Sequence, residues 1–130
     1  MADDNRYNGW ANYETWLVAL WIDNDAGSYD LWRERAQDAF DFAVDEGGIT
    51  REEAATYTIA NHLKDHHEEA AHEMLCDANL TCSIWSDLIG GALSEVNWRE
   101  IAGNLIAECD KSGDSKAADT HTTASNPDDE

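Results

Sequence analysis

Residues 50–78 read TREEAATYTIANHLKDHHEEAAHEMLCDA, and this stretch decides the fold class. It holds neither Gly nor Pro, and none follows until Gly90. Ala55, Ile59, Leu63, Ala70, Met74 and Leu75 recur at the three- and four-residue steps of one helical face. Thr50 and Glu53 have the spacing of a capping box, in which hydroxyl and carboxylate each take one free amide of the first turn. Gly47-Gly48 just upstream stops any earlier helix, because glycine takes left-handed backbone angles at little cost. The pattern predicts a helix over about 51–78, with a weak point near His66-His67.

The same logic runs outward in both directions. Asn12 stands where an N-cap belongs. The helix it opens, about 13–24, carries Tyr13, Trp16, Leu17, Leu20 and Trp21 as one broad apolar face. Ser28 is the expected cap of a second helix, about 29–46, with Leu31, Trp32, Ala36, Ala39, Phe40 and Ala43 inward. A fourth helix over 83–94 carries Ile84, Trp85, Leu88, Ile89 and Leu93, and Gly90-Gly91 weakens it. Asn97 and Glu100 form another cap pair ahead of a last helix, 98–109, with Trp98, Ile101, Ala102, Leu105 and Ile106 inward. No strand alternation of useful length and no internal repeat is present. The expected architecture is all-α: a compact bundle of about five helices over 12–110, an N-terminal arm over 1–11, and a disordered acidic tail over 111–130 without a large apolar residue. With 130 residues, 42% of them hydrophobic, and six Trp, one domain can bury a real core.

The chain sets 28 acids against 8 bases, a formal net charge of −20. The segment after Cys109 has six acids and two bases, so −16 belongs to the folded part. A field of that sign repels phosphate backbones and anionic lipid. It argues against direct nucleic-acid binding and a peripheral membrane role. Expected partners are cations or a basic protein surface, including one built to hold DNA. Sixteen Asp, twelve Glu and only three Lys also fit adaptation to high salt, so a halophile-type solvating surface is the competing reading. Three irregularly spaced cysteines (Cys76, Cys82, Cys109) form no disulfide framework or zinc knuckle. With no apolar segment in the opening MADDNRYNGW, a cytoplasmic location with reduced thiols is expected.

Two acidic rows are the candidate partner-binding residues. Asp65, Glu69, Glu73 and Asp77 follow at steps of four, about 6 Å apart along a helix axis. Asp30, Glu34, Asp38, Asp41 and Asp45 make a similar band on the second helix. Like charges at such spacing cost roughly 0.2–0.5 kcal/mol per pair. Duplex DNA carries a charge every ~1.7 Å of axis, so one row is several-fold sparser. Mimicry of DNA needs both bands, or two subunits, side by side.

Other constellations are weaker. His62, His66, His67 and His72 lie in one helical stretch, and His62 with His66 has a chelating spacing. The zinc-protease pattern fails, because Leu63 follows His62 and Cys76 stands where a second His would follow His72-Glu73. Glu69-Ala70-Ala71-His72 is a single Glu-x-x-His, where carboxylate-bridged di-metal bundles use two. The plainer expectation is that these histidines decorate a helix and pair with acids, which raises their pKa values. Cys76 one turn from His72 lacks any nucleophile signature. No catalytic residue and no cofactor is therefore assigned, and a metal-binding helical protein is a second alternative.

The segment Tyr7-Asn8-Gly9-Trp10-Ala11-Asn12-Tyr13-Glu14-Thr15-Trp16 resembles the opening of small proteins of phages, plasmids and prokaryotic mobile elements that share a Gly-Trp-x-Asn-Tyr-Glu-Thr-Trp core. Asn97-Trp98-Arg99-Glu100-Ile101-Ala102 is similar to their closing segment. The resemblance implies a mobile-element accessory protein acting by protein–protein contact, and raises the prospect of a DNA-mimic inhibitor of a host defence or DNA-binding enzyme. It carries no activity over. Read physically, the motif has a structural job: Asn12 caps, Glu14 suits the positive helix end, and Trp10 and Trp16 are placed to staple the helix start. Tyr13 and Trp21 extend the aromatic cluster, as core or as a partner anchor.

Overall fold

In the computed structural model, which describes residues 6–111, the chain forms five helices: α1 (Tyr13–Asn24), α2 (Ala26–Phe42), α3 (Arg51–Asp77), α4 (Ile84–Ser94) and α5 (Trp98–Ala107). The capping box starts α3: Thr50 Oγ1 accepts from the Glu53 amide at 3.1 Å, and Glu53 Oε1 accepts from the Thr50 amide at 3.1 Å. The helix then runs unbroken through His66-His67, about 40 Å long at 1.5 Å per residue. No strand occurs among the described residues; two isolated bridges, Tyr7 with Trp10 and Glu46 with Ile49, close tight turns. Nor is any described helix long and apolar enough to cross a membrane. The expected disordered tail lies, beyond Lys111, outside the described residues.

α3, α2 and α5 form the centre, and α1 packs against α2 and α5. Trp32, Ala36 and Phe40 from α2 meet Ala55, Ile59 and Leu63 from α3 and the buried face of α5 (Trp98, Ile101, Ala102, Leu105, Ile106). These are the inward residues expected of α2 and α5. Burial of each large one contributes about 1.5–3 kcal/mol.

Three expectations need correction. The second helix is capped by Asp25, whose Oδ2 accepts from the Ser28 amide at 3.0 Å, so Ser28 lies inside the helix. It ends at Phe42, because Ala43 turns extended (φ −76°, ψ 154°) into the Glu46–Ile49 turn. That turn needs positive φ at Gly47 (58°) and Gly48 (88°), which only glycine accepts freely. On α3, Ala70 and Met74 face solvent while Ala55, Ile59, Leu63 and Leu75 are buried.

The largest correction concerns α1. Its buried residues are Thr15, Ala19 and Ile22, whereas Tyr13 and Trp21 are exposed and Trp16, Leu17 and Leu20 half-buried. At 100° per residue the expected apolar face points away from the bundle. The helix is apolar on both sides, so its periodicity could not select the side that packs. What selects it is polar: Asn12 Oδ1 accepts from the Thr15 amide (2.9 Å) and hydroxyl (2.6 Å), and Thr15 Oγ1 accepts from the Asn97 amide at 2.8 Å. Asn12 Nδ2 also donates to the Glu95 carbonyl at 2.7 Å. These bonds draw the Thr15 side of α1 onto the α4–α5 junction.

Thr15→Val keeps shape and removes the hydroxyl. We expect a loss of about 1–3 kcal/mol, the usual penalty for stranding a covered donor, read as a lower urea midpoint with unchanged helix content. An unaltered midpoint would show that the hydroxyl does not hold the junction.

Candidate functional site

Members of the two acidic rows meet at one opening. α2 and α3 pack together, and between them runs an open groove of about 610 Å³ lined by Asp38, Asp65 and Glu69, with Arg35, His62 and His66 beside them. A second hollow of about 410 Å³ continues along α3 through Asp65, Glu68, Glu69, His72 and Glu73. Asp38 of α2 and Asp65 and Glu69 of α3 thus face the same opening. Asp30, Glu34 and Asp77 are exposed on the same helices but do not line it. Asp41 is half-buried and accepts from Gln37 Nε2 at 3.0 Å. Asp45 is off the helix altogether; its Oδ1 accepts from the Arg51 amide at 2.5 Å across the α2–α3 turn, a structural job. The acidic band expected on α2 is therefore shorter than its spacing implies, because the helix ends before its last member.

The four ion pairs involve other acids than those named for the groove. Arg6 pairs with Glu100 (2.8 Å), Arg33 with Glu108 (2.6 Å), Lys64 with Glu68 (3.4 Å) and Lys111 with Glu52 (3.6 Å). None of these ion pairs uses Asp38, Asp65, Glu69 or Glu73. Arg35, the one Arg or Lys lining the groove, lies over the Trp32 ring at 5.0 Å.

The histidines divide by environment. His62, His66 and His72 are exposed, but His67 turns inward, where its ring stacks on Trp32 (centroids 6.4 Å) and tilts against Trp98 (5.3 Å). Its Nδ1 lies 2.7 Å from the Leu63 carbonyl. Burial first, and His66 beside it, hold the His67 pKa below the ordinary value, although the carbonyl pulls the other way. Acid pairing does not govern this residue, contrary to expectation. Among the described residues no three of His, Cys, Asp and Glu gather as a group able to hold a metal. The exposed Cys76 places Sγ 3.4 Å from His72 Nε2, as the one-turn spacing implied.

The aromatic motif is a clasp. Asn8 (φ 48°) and Gly9 (φ 88°) fold Tyr7 back onto Trp10, with mutual backbone bonds of 2.8 Å. Trp10 packs against the core, and it is Tyr7 that covers Trp16 (4.9 Å) and Tyr13 (5.2 Å). Glu14 sits in the first turn of α1 as expected. Glu100 does not return to its own cap; it accepts from the Ala11 amide and Arg6, both at 2.8 Å. Its place at the cap is taken because the Asn97 amide already donates to Thr15. The opening and closing segments of the motif are thus two halves of one contact.

Exposed apolar surface is the feature that periodicity missed. Trp21 is 67% exposed, and on α4 Ile84, Trp85 and Leu88 are 63%, 55% and 54% exposed. α4 holds no buried residue; Ile89 and Leu93 are half-buried on its inner side.

The pattern of a family of unknown function, DUF7249, matches residues 3–110, almost the whole described fold. No curated protein and no solved structure matches the chain.

The lowered pKa of His67 gives a pH test. A base that resists protonation when folded adds stability fully present above its unfolded pKa, near 6.5, and lost as pH falls below it toward the folded pKa. Stability should therefore fall between pH 7 and 5, and His67→Phe should flatten that part of the profile in urea titrations. Equal slopes in both proteins would refute the assignment.

Proposed function

We propose a binding role for this chain, which belongs to DUF7249, the family of unknown function whose pattern spans its fold. It is a non-enzymatic accessory protein that occupies a basic protein surface with the α2–α3 groove. The observation that carries this reading is the convergence of Asp38, Asp65 and Glu69, from two separate helices, on one open groove. Asp38 from α2 adds its charge to those of Asp65 and Glu69 from α3, in the direction that imitation of a phosphate backbone requires. The resemblance of the clasp to mobile-element proteins supports a target among host defence or DNA-binding enzymes.

A surface acidified only for salt would carry its acids throughout. Residues 78–94 hold a single charged residue, Asp87, so the acidity leaves a gap there. Steering between such a surface and a basic partner accelerates encounter and weakens as salt rises.

The test is displacement from DNA-cellulose. Host proteins held on duplex DNA at low salt are challenged with the full chain or with the triple variant Asp38→Asn, Asp65→Asn, Glu69→Gln. The wild-type chain should release a DNA-binding protein, and the variant should need about tenfold more, roughly 1.4 kcal/mol. Release by neither, or equally by both, removes the groove as the binding surface and favours the salt-adaptation reading.

A further inference from the structure

We propose that the α2–α3 groove releases its basic partner in mild acid, His62 and His66 being the groups that take up the protons. This control rests on the groove being the binding surface. First, the histidines stand among the acids. His62 and His66 line the same opening as Asp38, Asp65 and Glu69. His72 lines the hollow that continues along α3, beside Glu69 and Glu73. These three are the exposed histidines of the described residues, so each of them falls on the groove or its continuation. His67 alone of the four on α3 turns inward, against Trp32 and Trp98.

Second, the groove histidines are not held there as halves of ion pairs. None of the four ion pairs uses a histidine. The His66 ring stands edge-on to Trp32 at 5.5 Å and to His67 at 5.1 Å. A proton added to His62 or His66 is therefore new charge delivered into the groove.

Third, the charges balance. The charged groups that face the two histidines come from both helices forming the opening: Arg35 and Asp38 from α2, Asp65 and Glu69 from α3. Three carboxylates against one guanidinium leave two net negative charges. Histidine as a residue type gains its charge between about pH 8 and 5, a range in which ordinary carboxylates and guanidinium groups keep theirs. One proton on each of His62 and His66 cancels the excess. A cationic guest attracted at neutral pH then meets no net opposite charge. Each exposed charge pair contributes little, so release is graded. Linkage is reciprocal: if protons weaken the guest's binding, the guest expels protons.

The test is titration calorimetry of the full chain with a hexalysine peptide at one low salt concentration. The peptide is acetylated and amidated, so that nothing in it titrates between pH 8 and 5. Wild type should bind it about fivefold more weakly at pH 5.5 than at pH 7.5, with unchanged helix content. At pH 6.5 binding should release protons, read from two buffers of unlike ionisation heat. In the double variant His62→Gln, His66→Gln the affinities at the two pH values should agree within about twofold, and most of the proton release should be gone. His67→Phe should keep both effects. Equal wild-type affinity at the two pH values, or a drop as large in the double variant, would overturn the inference and leave the groove reading standing. So would a drop that is lost in His67→Phe or accompanied by lost helix content, which would place the acid response in the core. Hexalysine bound equally well at pH 7.5 by the variant Asp38→Asn, Asp65→Asn, Glu69→Gln would instead remove the groove reading, and this inference with it.

Discussion

A buried hydroxyl holds this small bundle in register. Thr15 is fully enclosed, accepts from the Asn97 amide and donates to Asn12, which also caps α1 and reaches the Glu95 carbonyl. A polar group placed there must be satisfied, so the start of α1 has one acceptable position against the α4–α5 junction. Glu100 reinforces it by taking the Ala11 amide and Arg6. Hydrophobic burial supplies most of the stability, but it is non-directional. With a helix as apolar as α1, only directional bonds decide which side goes in.

That choice has consequences for the surface. Turning Thr15, Ala19 and Ile22 inward leaves Trp21 and Tyr13 outside, with the arm folded so that Tyr7 covers part of the remainder. α4 likewise keeps apolar side chains in water. Asp38 of α2 and Asp65 and Glu69 of α3, meanwhile, meet at a groove between two helices whose inner faces are used by the core. The described surface thus carries both an acidic groove and exposed apolar side chains.

His67 shows how one helix serves both. α3 exposes Asp65, His66, Glu68 and Glu69, yet His67 between them reaches into the Trp32–Trp98 stack. Its ring serves as a flat packing element, and burial favours the uncharged form. His67 is thereby committed to the interior, while His62 and His66, the pair with chelating spacing, stay at the surface.

Read alone, the sequence settled the helices. Caps at Asn12, Thr50 and Asn97 and the Gly47-Gly48 stop are local signals, governed by neighbours three or four residues away, and α1, α3 and α5 lie within a few residues of where those signals put them. The inward faces of α2 and α5 were equally legible, since each has one apolar side. The tertiary structure alone decided which side of α1 is buried, that Asp45 leaves the acidic band, that Asp38 shares a groove with Asp65 and Glu69, and that Ile84, Trp85 and Leu88 remain in water. The reason is common to all four: each depends on contacts between residues far apart in the chain or on where a helix ends, and hydrophobic periodicity carries no information on either when a helix is apolar all round.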